Sequence, residues 1–205
     1  RPQDVMLSVT GLPYDTIHST IGIDGEKSRG KGTLRDFGVL YRQVDLTEND
    51  ELDYEKIETQ AARDDVRMVY IQRSRGYSLR HSISVAEIGR VCEIVHRVNK
   101  NAVVMVDNCY GEFTEEKEPT EVGADLMAGS LIKNAGGGVA PAGGYIAGRK
   151  DLVELCACRL TTPGLGAEVG ATLGQNRSLF MGLFHAPHVV GEALKTAVFA
   201  AALFS

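Results

Sequence analysis

Two short stretches of the sequence carry residue types that could do chemistry together. Asp107 and Tyr110 follow one apolar run, Ser130 and Lys133 follow another, and residues 136–138 are three consecutive glycines. A lysine amine can hold an aldehyde cofactor as a Schiff base, and a carboxylate can keep a pyridine nitrogen protonated. Hydroxyl and main-chain N–H groups can bind a phosphate. This combination suggests pyridoxal phosphate as the cofactor.

Each of these signals has a more ordinary interpretation when it is taken alone. An aspartate at a strand end is more often a turn former or a helix cap, and a single lysine is most often a solvated surface residue. The glycine run could be a flexible turn. It lacks the Gly-x-Gly-x-x-Gly spacing of a dinucleotide loop and the Lys-Ser/Thr pair of a P-loop. The spacing from Asp107 to Lys133 leaves room for a loop and one more strand, so the combination is more specific than either residue.

Apolar runs bounded by turn residues predict the strands that position these side chains. The predicted strands cover residues 5–9, 40–44, 66–71, 103–106, 126–129 and 144–147. The third of these strands runs into a basic tip that contains Arg73 and Arg75. Asp107 is predicted as the first residue after the fourth strand, whose apolar character is typical of a central parallel strand.

Helices are predicted between these strands and after them. Ser84 and Glu87 have the spacing of a capping box, and a stripe of apolar residues up to Val98 follows them. Further helices are predicted over residues 54–62, from Lys150 onward, after Gly166 and after Pro187. Residues 112–118 are rich in charge and are interpreted as a solvated loop.

Strands that alternate with helices predict a three-layer α/β fold, with a mostly parallel sheet and helices on both faces. Ligands of such sheets bind outside the carboxyl ends of the strands. The polar residues named above all follow predicted strands, so we expect the site at that edge.

Composition narrows the classes of function. The 22 Lys and Arg residues are outnumbered by 27 Asp and Glu residues, for a net charge of −5, which argues against a protein that binds nucleic acid by phosphate neutralisation. Four cysteines make no disulfide framework or zinc-site spacing, and no signal peptide or membrane-spanning segment is recognised. We therefore expect a cytoplasmic protein with no metal site.

Several motifs of the sequence resemble one group of enzymes. The three segments 106–110, 123–126 and 129–133 are similar to the cysteine/methionine-metabolism group of fold-type-I pyridoxal phosphate enzymes. Within that group the chain resembles the methionine γ-lyase-related family, also called aluminium resistance proteins. The family's own motifs are matched at residues 1–4, 13–16, 41–45, 72–78 and 186–192.

The resemblance implies roles for individual residues. Lys133 matches the lysine that forms the Schiff base, Asp107 the partner of the pyridine nitrogen, and Ser130 a phosphate ligand. Tyr110 matches a position that touches the ring hydroxyl in some related enzymes. Tyr14 lies within one residue of the tyrosine that stacks on the cofactor ring.

The sequence departs from the family pattern near the phosphate. Ile132 occupies the place of a phosphate-binding threonine, so Arg73 or Arg75 is expected to supply the missing donor. Residues 1–190 are expected to be the central part of the large, cofactor-binding domain, and residues 191–205 the start of an inter-domain helix. The family's upstream phosphate loop and its C-terminal domain are expected outside this fragment.

The implied activity is that of a carbon–sulfur lyase on a sulfur-containing amino acid of the cystathionine, cysteine or methionine type. Removal of the Cα proton and β- or γ-elimination would give a 2-oxo acid and ammonia. An aminotransferase on the same fold and a non-catalytic scaffold remain open as alternatives. The resemblance also implies a homodimer or homotetramer.

Overall fold

The computed structural model describes residues 1–170 and 172–205. They fall into two compact units. Residues Arg1–Asp107 and Val122–Ala124 make up the N-terminal unit, and Asn108–Glu121 and Asp125–Ser205 make up the C-terminal unit.

Parallel strands form the centre of the N-terminal unit. Its elements are β1 (Val5–Ser8), α1 (Asp15–Ile21), β2 (Leu40–Gln43), α2 (Tyr54–Ala61), β3 (Val66–Gln72), α3 (Val85–Val98) and β4 (Val103–Asp107). β1 pairs in parallel with β2 and with β3, and β3 pairs in parallel with β4. Since all four strands point the same way, the last residues of β3 and β4, Gln72 and Asp107, are register partners at one edge.

Burial of apolar side chains explains why these segments are strands and helices. All four residues of β1 are buried, as expected for a parallel strand covered on both faces. On α3, Ile88, Val91 and Val95 lie on the predicted stripe and are fully buried. The predicted capping box is confirmed, because Ser84 Oγ accepts from the Glu87 N–H at 3.2 Å and Glu87 Oε2 accepts from the Ser84 N–H at 2.8 Å.

The C-terminal unit contains an antiparallel strand pair and two α-helices. Its elements are β5 (Leu126–Ser130), β6 (Gly144–Gly148), α4 (Lys150–Leu160) and α5 (Asn176–Phe204). β5 and β6 pair antiparallel, with Gly129 opposite Tyr145 and Ser130 opposite Gly144. A short 3₁₀ turn, Asn134–Gly136, follows Lys133.

Helix boundaries differ from the sequence prediction in three places. The segment after Gly166 is only a 3₁₀ turn, Gly166–Glu168, and α5 begins at Asn176 and contains Pro187. Proline often marks a helix start, but here apolar helix-forming residues precede it and extend the helix upstream. The seven-residue helix α1 was not predicted, because it is too short to show a helical period.

The expected α/β class with mostly parallel strands is confirmed. None of the helices within the described residues combines the length and the hydropathy that a membrane span requires.

Candidate active site

Asp107 lies at the carboxyl end of β4 in the N-terminal unit and is its last residue, not the first beyond it. Its carboxylate is half-buried, and Oδ2 accepts a hydrogen bond from the hydroxyl of Tyr70 at 3.3 Å. Its main-chain carbonyl accepts from the Arg73 N–H at 3.0 Å. The carboxylate is therefore held in a defined direction at the edge where the sequence placed the site.

The basic tip after β3 contains one buried and one exposed arginine. Arg73 is 3% exposed, whereas the Arg75 side chain is exposed. A third arginine, Arg80, was not singled out in the sequence and is 5% exposed. Its guanidinium donates to the main-chain carbonyls of Gln72, Ser74 and His81 at 2.9, 2.6 and 2.7 Å. Arg80 thus fixes the conformation of the segment that carries Arg75.

Tyr14 belongs to a cavity of about 440 Å³ in the N-terminal unit. Its N–H donates to Gln72 Oε1 at 2.6 Å, and its hydroxyl donates to the Tyr77 hydroxyl at 3.0 Å. The two tyrosine rings have centroids 5.3 Å apart. Arg75 and Arg80 also line this cavity. The cavity therefore combines an aromatic pair with two cations at the carboxyl ends of parallel strands.

Lys133, Ser130 and Tyr110 come together within the C-terminal unit. Ser130 ends β5, and its Oγ accepts from the Ile132 N–H at 3.3 Å, which leaves the hydroxyl proton free to donate. Lys133 lies three residues further on, with Nζ 4.5 Å from the centroid of the Tyr110 ring. Tyr110 has a φ of +67°, an uncommon conformation for a large side chain.

The glycine run after Lys133 packs against α5. Gly136 and Gly137 are buried, and their N–H groups donate to the carbonyls of Lys133 and Asn134. A Cβ on Gly137 would lie 3.0 Å from the main-chain N of Ala186 on α5. These two glycines allow the turn to pack on the helix, and the role of the run in phosphate binding stays a prediction.

Sequence reasoning missed a polar cluster beside Lys133, which we name the Asn108–Tyr145 network after its outer members. Its members are Asn108, Glu112, Glu118 and Tyr145. The Tyr145 hydroxyl donates to Glu112 Oε1 at 2.9 Å, and Asn108 Nδ2 donates to Glu118 Oε2 at 2.9 Å and to the Tyr145 hydroxyl at 3.2 Å. Glu112 is 3% exposed, so its assignment to a solvated loop is wrong. The cluster of acidic residues around it gave no signal of burial.

No group of His, Cys, Asp and Glu side chains that could hold a metal ion is found among the described residues. Cys92 is 2% exposed and belongs to the buried face of α3.

Lys133 thus lies in the connection between the two strands β5 and β6 of an α/β fold. The family model described as methionine gamma-lyase matches residues 1–205. The chain belongs to the methionine gamma-lyase family.

Individual relatives agree with this assignment. YnbB, an uncharacterized protein of Bacillus subtilis (strain 168), is 47% identical over 201 residues, which are 98% of this chain and 47% of that protein. The crystal structure of a carbon-sulfur lyase involved in aluminum resistance from Clostridium novyi NT is 49% identical, with a TM-score of 0.91 over 97% of this chain and 46% of that one. The chain therefore spans about half the length of these relatives.

A more distant structure shows the fold alone. Apo CalE6, a methionine gamma lyase from Micromonospora echinospora, has a TM-score of 0.59 at 24% identity, over 91% of this chain and 43% of that one.

Proposed function

We propose that the protein is a pyridoxal phosphate-dependent carbon–sulfur lyase that acts on a sulfur-containing amino acid. Family membership and the carbon-sulfur lyase of C. novyi support the reaction class. The observation that carries the proposal is the placement of Lys133 after β5, with its amine at the ring of Tyr110 and Ser130 three residues before it.

The donor set of the chain fits this cofactor. Lys133 supplies the amine that would bind its aldehyde, and the Ser130 hydroxyl has a free proton for its phosphate. Asp107 supplies a carboxylate, directed by Tyr70, for the pyridine nitrogen. When bound, the cofactor supplies an electron sink for the negative charge that develops at Cα of an amino acid.

Three further residues are proposed around this core. Tyr110 is proposed to contact the ring hydroxyl, and Tyr14 to lie against the ring. Arg75, which is exposed and lines the cavity, is the better candidate of the two arginines to replace the missing threonine. Arg73 is buried, so it would have to reach the phosphate from the interior of the fold.

In the proposed reaction Lys133 has two tasks. Its amine would hold the aldehyde of the cofactor in the resting enzyme, and during the reaction Nζ would accept the proton from the substrate Cα. Holding Nζ close to Cα makes this transfer effectively intramolecular. Because β- and γ-elimination both begin with this step, the residues named here serve either outcome. Breaking the C–S bond would release a thiol, and hydrolysis of the remaining enamine by water would give a 2-oxo acid and ammonia.

The test is reduction of the full-length protein with borohydride after addition of pyridoxal phosphate, followed by peptide mass mapping. We expect the label on Lys133. Lys133→Ala should lose the label, while Lys150→Ala, which changes an exposed lysine of α4, should be labelled as the wild type is. A folded protein with no labelled lysine would overturn the proposal.

A product assay then separates the lyase from the aminotransferase. The purified protein is incubated with cystathionine, cysteine or methionine, and 2-oxo acid and ammonia are measured. Release of both supports the lyase. A half-reaction that stops at pyridoxamine phosphate without ammonia would identify an aminotransferase instead, and cofactor binding without either product would identify a scaffold.

A further inference from the structure

The Asn108–Tyr145 network borders the proposed site but takes no part in the chemistry described above. Tyr145 of β6 lies opposite Gly129 of β5. Gly129 is the residue directly before Ser130. A Cβ on Gly129 would lie 2.6 Å from Tyr145 Cε1 and 2.7 Å from its hydroxyl, and it would clash with the Glu112 carboxylate. A glycine at this position therefore lets the Tyr145–Glu112 pair lie directly against β5.

The same network anchors the loop that presents Tyr110. Two large residues of this loop, Tyr110 and Phe113, have φ values of +67° and +61°, which are strained for side chains of their size. Hydrogen bonds on either side of Tyr110 maintain this backbone conformation. The Asn108 N–H donates to the Ala128 carbonyl at 2.8 Å, and the Phe113 N–H donates to Glu118 Oε1 at 2.8 Å.

A further bond joins this loop to the lysine segment. Asn134 directly follows Lys133, and its Nδ2 donates to the main-chain carbonyl of Glu112 at 3.2 Å. The loop with Tyr110 and the turn with Lys133 are therefore tied at two points, by Asn134 and by the contact of Tyr145 and Glu112 with β5.

Burial and the neighbouring Glu112 carboxylate raise the pKa of Tyr145 far above its ordinary value. Its hydroxyl stays protonated at neutral pH and remains a hydrogen-bond donor to Glu112.

We propose that Tyr145 is a positioning residue, which acts through Glu112 and Asn108 to hold the Tyr110 ring against the Lys133 amine. Its importance for catalysis rests on the proposed function, while the contact itself can be tested without turnover.

The test compares wild type with Tyr145→Phe in the full-length protein, freed of any bound aldehyde by hydroxylamine. Each protein is trace-labelled with acetic anhydride, and the rate is measured for every lysine by mass spectrometry. A nearby aromatic ring stabilises an ammonium group and covers one side of it. We therefore expect Lys133 of the variant to react about two- to fivefold faster, with Lys150 unchanged.

Tyr41→Phe is the matched control, because it also removes one tyrosine hydroxyl bond, the 2.8 Å bond to Gln43 Oε1, but in the N-terminal unit. Its Lys133 should react at the wild-type rate. If Tyr145→Phe lowers the unfolding midpoint while the Lys133 rate stays the same, the role of Tyr145 is only structural and the proposal is overturned.

Asn134→Ala is the second variant, in case Tyr145→Phe does not fold. It removes the bond from the lysine turn to Glu112, so the Lys133 rate should rise in the same direction, and an unchanged rate would again overturn the proposal. The borohydride experiment distinguishes a failure of the lyase proposal from a failure of the proposed role of Tyr145. A label on Lys133 together with unchanged acetylation rates would leave the lyase standing and remove only the role of Tyr145.

Discussion

At the scale of single residues, the surroundings of Asp107 make it a sensitive test of the cofactor assignment. Its carboxylate accepts from the hydroxyl of Tyr70, which is 3% exposed and therefore has little freedom to move. An amide in place of the carboxylate has nearly the same shape, but it has no charge to hold a proton on a pyridine nitrogen.

We expect Asp107→Asn to lower the rate of 2-oxo acid formation by about a hundredfold or more, the range found when one preorganised electrostatic contact is removed. Borohydride labelling of Lys133 should persist. Asp64→Asn, at an exposed aspartate, is the control and should be as active as wild type. Activity of Asp107→Asn within threefold of wild type would remove Asp107 from the site.

The sequence led to Lys133, Asp107 and Ser130 because their types and spacing are themselves the signal. Glu112 and Arg80 were missed because their burial depends on partners that are not visible in the local sequence. Glu112 is buried through Tyr145, which lies on another strand, and Arg80 through three main-chain carbonyls that converge only when the loop closes. Buried charged residues need such partners, and hydrophobic pattern does not locate them.

At the scale of elements, local signals predicted α3 well and β6 only in part. The capping box at Ser84 lies within four residues of sequence, so it can be recognised without tertiary information. The length and structure of the segment between β5 and β6 determine whether β6 runs parallel or antiparallel to β5. A parallel return needs a crossover, usually a helix, and the segment between β5 and β6 contains only the Asn134–Gly136 turn. The chain therefore returns antiparallel.

An ion pair links β2 to the residue before β3 and gives this part of the sheet a pH dependence. Arg42 donates to both carboxylate oxygens of Asp65, at 3.1 and 2.7 Å. These bonds lower the pKa of Asp65 from 3.8 to about 2. Because the pKa is depressed in the folded state, the stabilisation is complete above pH 3.8 and is lost as the pH falls towards about 2.

We expect Arg42→Ala to raise the pKa of Asp65 towards its ordinary value, as measured by NMR titration of the side-chain carboxyl. The unfolding midpoint of Arg42→Ala should lie below that of wild type at neutral pH, and the difference should shrink in acid. Arg35→Ala, at an exposed arginine, serves as the control. If the pKa of Asp65 is the same in Arg42→Ala as in wild type, the ion pair with Arg42 does not lower it and the prediction is wrong.

At the scale of the whole molecule, α5 carries an unusual amount of exposed apolar surface. Phe184 is 80% exposed, Phe199 68% and Phe204 86%. Contiguous exposed apolar side chains are typical of interaction surfaces in proteins. The oligomer implied by the family resemblance stays a prediction, and this exposed surface is a reason to test it.

We therefore expect the full-length protein to be a homodimer or a homotetramer in solution. Light scattering coupled to size-exclusion chromatography measures this directly, at several protein concentrations in the micromolar range. A particle with the mass of one chain throughout that range would contradict the expectation.

The contact of the lysine turn with α5 also has a consequence for the order of folding. Gly136 and Gly182 lie so close that a Cβ on Gly182 would lie 3.0 Å from the Gly136 carbonyl carbon. The turn after Lys133 therefore reaches its final packing only when a helix much later in the chain has formed. Contacts between distant parts of a chain form late, because the intervening loop must first be closed. During synthesis on the ribosome, the lysine segment thus reaches its final packing only after α5 has emerged.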